Sequence, residues 1–461
     1  MGNTSLRRSV CFISFATAFL TPWMVSSVNI ALPSIGRELS MGAVAMSWVT
    51  SAYLLSSAVF LVPFGKIADI YGRRKLFLIG VALITLSSLS SALAGSGVML
   101  IATRVIHGVG ASMVFGTGMA MLTAVFPPEK RGRVLGINVS FTYTGLMAGP
   151  VLGGIITRYL GWRTLFWINI PIGLAVFLIA FFAVRQEWKE EKTRFSDPPG
   201  AMLYGATLIL IITGLARLAS ITGVLLVAGG VLSLAVFFLV ESSHRQPVFP
   251  VDLFKTNRLF AYSNFSALIN YSATYALVFL MSLYLQYLKG LSPDHAGFIM
   301  IVQPVMMVLF SPLSGRLSDR FEPRILSSAG MGCIATGLFI LSFLTADSGY
   351  TRIIINLMLI GFGFALFSSP NISAALGSVE RRHLGTASAT IGTMRLIGQV
   401  LSMGMTMFVL TLTVGTGKIT PKYYAAFERM MAMLLRIFSG LCLLGTVLSA
   451  MRGNVRTQQH D

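Results

Sequence analysis

Gly65-Lys66-Ile67-Ala68-Asp69-Ile70-Tyr71-Gly72-Arg73-Arg74-Lys75 separates two long apolar runs, and Gly315-Arg316-Leu317-Ser318-Asp319 repeats its opening 250 residues later. Both segments are short and basic. Each follows a run long enough to cross a bilayer, about 20 residues at about 1.5 Å apiece. Two further pairs share nearly the same offset: Gly108-Val109-Gly110 with Gly361-Phe362-Gly363, and Glu129-Lys130-Arg131 with Glu380-Arg381-Arg382. Three unrelated motifs at one spacing indicate a duplicated unit. An even number of apolar runs separates equivalent positions, so the two copies enter the membrane in the same direction, as in transporters built from parallel repeats.

Working outward from these segments, the chain contains fourteen apolar runs, the first near 9–33 and the last near 429–451. Of the 461 residues, 55% are hydrophobic and 11% charged, with a mean hydropathy of +0.77. Soluble proteins carry about 25% charged residues, so a water-facing surface cannot be built here. The net charge of +19 does not point to nucleic acid, because the cations sit in clusters between apolar runs and not on one soluble face. Clusters such as Lys130, Arg131 and Arg133 alternate loop by loop, and one side outnumbers the other roughly three to one. Both termini are therefore expected in the cytoplasm. Arg7 and Arg8 before an apolar run resemble a signal peptide, yet the run continues to Pro33 and reads as an uncleaved first span. The expected fold is all-α and polytopic: a six-helix bundle at 1–195, an inserted helix pair at 196–258 and a second six-helix bundle at 259–461. Such halves hold a substrate site near the midplane and work by alternating access.

Several motifs agree in order with one family. The Gly65–Lys75 loop, Trp48-Val49-Thr50-Ser51-Ala52-Tyr53, the stretch Trp162-Arg163-Thr164-Leu165-Phe166-Trp167-Ile168-Asn169-Ile170-Pro171-Ile172-Gly173, and Gly145-Leu146-Met147-Ala148-Gly149-Pro150-Val151-Leu152-Gly153-Gly154 resemble the major facilitator superfamily, in particular its fourteen-helix drug:proton antiporter branch. The resemblance implies a cytoplasmic gate at Gly65, Asp69, Gly72, Arg73 and Arg74, mirrored by Asp319, Arg320 and Arg324. It also implies an antiporter motif at Gly145, Gly149, Pro150, Gly153 and Gly154. Two positions depart from the branch. Met24 stands where an acidic residue usually precedes the run ending Asn29-Ile30-Ala31-Leu32-Pro33, and His107 stands where a glutamine is usual.

The residues themselves carry further expectations. Gly145, Gly149 and Gly153 recur every four residues, so they share a helix face. Small residues there let helices approach, an approach expected between the two halves, and Pro150 removes a backbone donor. The loop's two glycines, Gly65 and Gly72, suit a sharp turn, and Asp69 can pair with a cation and accept from a helix start. Arg104 and His107 lie one turn apart in the fourth span; Arg395 and Gln399 do so in the thirteenth. Charged groups at that depth usually face a cavity or a partner. With Asn29 these five are the candidates for a substrate and proton cavity. The competing readings are a snorkelling Arg104 and a hydrogen-bonded neutral His107. No Asp or Glu is expected mid-bilayer, which favours a neutral or anionic amphipathic cargo; cationic drugs held by aromatic faces are the alternative. Three scattered cysteines and five scattered histidines give neither a metal site nor a membrane enzyme, and no nucleotide-binding loop is present. The function expected is export of amphipathic small molecules from the plasma (inner) membrane, driven by the proton gradient and without a cofactor. Metabolite uptake or uniport is the alternative. Lipid, protons and a small-molecule substrate are the expected partners, with no nucleic acid.

Overall fold

The computed structural model describes residues 2–189, 197–243, 249–380, 384–415 and 417–453, without the side chains of residues 2, 3, 128, 129, 319 and 384. Arg381 and Arg382 of the repeated motif, the Asp319 side chain, and His244, His383 and His460 lie outside the described residues. Among the described residues the structure is helical with no strand. Fourteen helical segments are long and apolar enough to cross a membrane. The first eight are α1 (Gly2–Glu38), α2 (Ala43–Tyr71), α3 (Arg73–Ala92), α4 (Gly97–Val125), α5 (Pro128–Tyr159), α6 (Arg163–Phe182), α7 (Pro198–Ala216) and α8 (Ile221–Ser243). A short helix, α9 (Val251–Thr256), precedes the ninth crossing, which is α10 (Arg258–Thr274), α11 (Ala276–Leu283) and a π turn (Tyr284–Leu288). The tenth crossing is broken into α12 (Pro293–Met300) and α13 (Val302–Arg320). Pro304 explains the break, because its ring clashes with the carbonyl four residues earlier, that of Met300. Crossings eleven to fourteen are α14 (Pro323–Leu341), α15 (Tyr350–Gly377), α16 (Leu384–Thr413) and α17 (Tyr424–Met451).

The chain forms two compact units: Met1–Gly205 with Leu291–Phe298, and Ala206–Gly290 with Ile299–Asp461. The duplication read from the motifs recurs inside each unit as the same close helix crossing. A Cβ at Gly80 of α3 would lie 2.8 Å from the Gly110 carbonyl oxygen of α4, and one at Gly110 would lie 2.8 Å from that of Gly80. In the second unit Gly330 of α14 and Gly363 of α15 abut in the same reciprocal way, at 2.5 and 2.6 Å. Gly108 of α4 presses on the Tyr53 carbonyl of α2, and Gly361 of α15 on the Gln303 carbonyl of α13. Tyr53 and Gln303 are again 250 residues apart. Only a residue without a side chain lets these backbones meet, which is how small residues drive packing where lipid removes the hydrophobic incentive.

Apolar burial is confined to helix–helix seams, such as Ile13, Phe77, Val114, Met121 and Val176 in the first unit and Ala267, Met331 and Phe367 in the second. Leu86, Leu174, Leu232 and Leu443 stay more than half exposed. That inversion suits a hydrocarbon surround and not water.

Candidate functional site

The first unit gathers most of the candidate residues. Ser96 caps α4, its Oγ accepting from the Met99 N–H at 3.2 Å. Because Gly108 brings α2 so close, Tyr53 reaches both Arg104 and His107. The Arg104 guanidinium lies 4.6 Å from the Tyr53 ring centroid, and its Nε donates to the Val49 carbonyl at 3.3 Å. The His107 ring meets Tyr53 edge-on, with centroids 5.6 Å apart. Arg104 is 1% exposed, so it does not snorkel: α2 supplies a cation–π face and a carbonyl inside the bundle. Asn29 is a tie between helices, its Oδ1 accepting from Thr50 Oγ1 of α2 at 2.8 Å.

His107 also faces a cavity of about 20 Å³, bounded by α1, α3, α4 and α6. Met24 and Thr21 of α1 and Asn169 of α6 share its wall. Asn169 Nδ2 donates to Met24 Sδ at 2.8 Å. His107 is 3% exposed and Asn169 likewise, and neither His107 Nδ1 nor Asn169 Oδ1 has a hydrogen-bond partner among the described residues. Thus Met24 and His107, the two positions that depart from the family pattern, look into one space. Arg395 and Gln399 stand a turn apart on α16 in the second unit, both half-buried; neither lines this cavity.

The loop after α2 differs from expectation in two respects. Gly65 lies inside α2, which runs to Tyr71, so the turn rests on Gly72 alone, at φ 118°. The helix continues because only at Gly72 does the backbone enter the region that favours glycine. Asp69 pairs with Arg73 at 2.8 Å, one turn on, but the start of α3 is capped by another acid. Glu187 accepts from the backbone N–H groups of Arg74 at 2.8 Å and Lys75 at 3.2 Å. Arg74 turns to the end of α6 and donates to the carbonyls of Ala180 and Phe181, where a cation offsets the helix dipole. The second copy has no glycine turn. Phe321 and Glu322 join α13 to α14 with Arg320 exposed and Arg324 half-buried.

Gly145, Gly149 and Gly153 do share a face, but it packs on α1 within the first unit, not between the halves. A Cβ at Gly145 would meet the Phe19 carbonyl, one at Gly149 the Ser26 side chain, and one at Gly153 would lie 2.8 Å from Ser27 Cα. Pro150 is inside α5. Gly154, on the next strip, faces Pro293 and Asp294 at the outset of α12, and Gly297 faces the Pro150 carbonyl. Arg158 then pairs with Asp294 at 2.7 Å and donates to Ser292 Oγ at 3.1 Å.

Three residues escaped the sequence reading. Asn169 lay in a motif quoted for its family likeness, and its polarity deep in an apolar helix was the available signal. Glu187 and Arg452 lie in short polar segments between or after apolar runs, where the sequence carries no signal that singles out one charge. Arg452 is 1% exposed and donates to Asn371 Oδ1 at 3.0 Å and Ser327 Oγ at 3.1 Å, tying the ends of α15, α14 and α17. Burial pulls its pKa down to about 10, Glu322 opposing and Arg324 adding to the effect, so it remains a cation at neutral pH.

The profile of the Major Facilitator Superfamily matches residues 14–403. The riboflavin transporter RibZ of Clostridioides difficile (strain 630) is 33% identical over 374 residues, which are 80% of this chain and 81% of that protein. The multidrug resistance protein Stp of Mycobacterium tuberculosis (strain CDC 1551 / Oshkosh) is 31% identical over 384 residues, 82% of this chain and 71% of that one. Among solved structures, a bacterial homologue of the human lysosomal transporter Spinster, inward-facing and unoccupied, matches with a TM-score of 0.72 at 16% identity. The match covers 99% of this chain and 98% of that one, a likeness of fold alone.

Proposed function

Because this chain belongs to the major facilitator superfamily, and is thus a multi-pass membrane transporter and not an enzyme, we propose that it exports amphipathic small molecules in exchange for protons by alternating access. The observation that carries the reading is the meeting of Met24 and His107 at one cavity. The branch it resembles usually has its titratable group at the Met24 position; here α1 has lost it and α4 supplies an imidazole across the same space. Histidine is the side chain whose ordinary pKa lies nearest physiological pH, so it is the natural replacement. It takes a proton from the acidic side of the membrane and returns it on the other. Arg104, one turn away, makes each protonation event a change in local repulsion.

The cargo on this reading is neutral or anionic. The buried charge one turn from His107 is the Arg104 cation, and the buried acids among the described residues are engaged elsewhere: Asp197 and Glu241, at the ends of α7 and α8, each accept a backbone N–H, and Asp294 pairs with Arg158. Relatives described as a riboflavin transporter and a multidrug resistance protein support small-molecule cargo. On this reading the chain sits in the plasma (inner) membrane with both termini cytoplasmic, an orientation that the bias of the loop cations supports. Metabolite uptake on the same fold is the second reading, favoured by the riboflavin relative and by the absent acid at Met24; the direction of accumulation in everted vesicles separates the two.

The test is His107→Gln in proteoliposomes under an imposed pH gradient, with matched anionic and cationic dyes as cargo. The variant is expected to lose gradient-driven accumulation yet keep counterflow down the dye gradient. Undiminished gradient dependence refutes His107 as the proton carrier, and preferential cation export refutes the cargo assignment.

A further inference from the structure

We propose that Asn169, held by Met24, is a positioning residue for His107, and that the two side chains share one bound water molecule in the cavity between α1, α4 and α6. The inference rests on the reading of His107 as the proton carrier. Three observations carry it. His107 Nδ1 and Asn169 Oδ1 are both buried and have no hydrogen-bond partner among the described residues. Both side chains line one cavity of about 20 Å³, room for about a single water, and such a molecule needs two or more polar partners. The Asn169 amide is not free to turn away, because its Nδ2 donates to Met24 Sδ at 2.8 Å, which leaves Oδ1 as the end of the amide without a partner among the described residues.

This arrangement serves both protonation states. With Nδ1 bare, the water donates one hydrogen to Nδ1 and the other to Asn169 Oδ1. When Nδ1 gains a proton, the water turns, accepts from Nδ1–H and still donates to Asn169 Oδ1. Asn169 thus presents an acceptor in either state, and it holds the water oxygen toward the imidazolium when the ring is charged. Arg104 on its own helix and Tyr53 on α2 are the charged and titratable groups that face His107. The cavity walls from α1, α3 and α6 carry no ionisable side chain. Proton affinity at this site therefore depends on the water and its amide anchor to an unusual degree. The account also gives Met24 a purpose: a soft sulfur acceptor that orients the amide without adding a charge.

The experiment is a pH profile of dye transport in proteoliposomes for the unmodified protein, His107→Gln, Asn169→Leu and Met24→Leu, with thermal unfolding measured alongside. Asn169→Leu keeps the branched four-atom shape of the side chain and removes the acceptor. Its profile is expected to move toward lower pH by about one unit, a roughly tenfold loss of proton affinity for one charge-assisted hydrogen bond. Met24→Leu, which frees the amide, is expected to move it the same way by less, and it stands in should Asn169→Leu not fold. If His107→Gln abolishes the pH dependence while both other variants keep the original midpoint and lose only rate, the positioning role is overturned and the proton-carrier reading stands. If His107→Gln leaves the profile unchanged, the proton-carrier reading itself falls and takes this inference with it.

Discussion

Replacing Gly153 by alanine inserts a methyl group where α5 meets the backbone of α1. The new carbon would lie 2.6 Å from Ser27 Cβ, 2.8 Å from Ser27 Cα and 3.1 Å from Ile30 Cγ2. Carbon atoms prefer about 3.5–4.0 Å, so the two helices must part by about 1 Å, and Ser27 Cα cannot rotate aside. Overpacking of this kind costs about 1–3 kcal/mol. Against it stands a gain of up to about 1 kcal/mol, because alanine is the better helix former. Gly136 isolates the two effects. It sits on the same helix, and a Cβ there would meet no atom within 4 Å. Gly136→Ala should therefore stabilise the protein slightly, and Gly153→Ala should fall below it by about 1–3 kcal/mol, the packing cost alone. Gly149→Ala, facing Ser26, belongs with Gly153→Ala. The assay is reversible unfolding of purified protein in mixed micelles, each variant compared with Gly136→Ala. Equal stability of Gly153→Ala and Gly136→Ala would refute the argument that this face is closed against α1.

Other substitutions test the remaining contacts. Glu187→Ala removes the acceptor for two N–H groups at the start of α3 and should cost about 0.5–2 kcal/mol, read by the same unfolding assay, with Glu187→Gln recovering part of it. Arg452→Met keeps much of the side-chain volume but leaves Asn371 Oδ1 and Ser327 Oγ without their donor; a loss of about 1–3 kcal/mol is expected, and no loss would mean that these helix ends are held by packing alone. The Arg158–Asp294 pair is part-exposed on the arginine side, so a double-mutant cycle with Arg158→Ala and Asp294→Ala should return only about 0.2–1 kcal/mol of coupling, weakened further by salt.

The loop and the seams show how far residue order alone reaches. Gly72 is legible because a loop this short needs one residue able to take a left-handed turn. Gly65 misleads because a glycine seven residues upstream looks the same on paper while the helix simply runs through it. Asp69 is legible as a partner for a nearby cation, because Arg73 is one turn away on the chain and pairs with it. The cap on α3 was not legible, because Glu187 is more than a hundred residues downstream and reaches the loop only after α6 has returned to the same face.

Apolar run length, the loop cations and the motif offset near 250 are local or periodic properties, and a bilayer converts them directly into a count of crossings and a duplicated helical unit: each backbone polar group in lipid must be satisfied within its own helix, so a run of apolar residues has one structural outcome. Which polar side chains share a space is different. Met24, His107 and Asn169 come from α1, α4 and α6, and nothing in their spacing says that they converge. Gly80 and Gly110 let α3 and α4 meet, Gly173 lets α6 reach Thr85 of α3, and these approaches of a few ångströms between distant helices help decide that an imidazole, an amide and a thioether face one cavity.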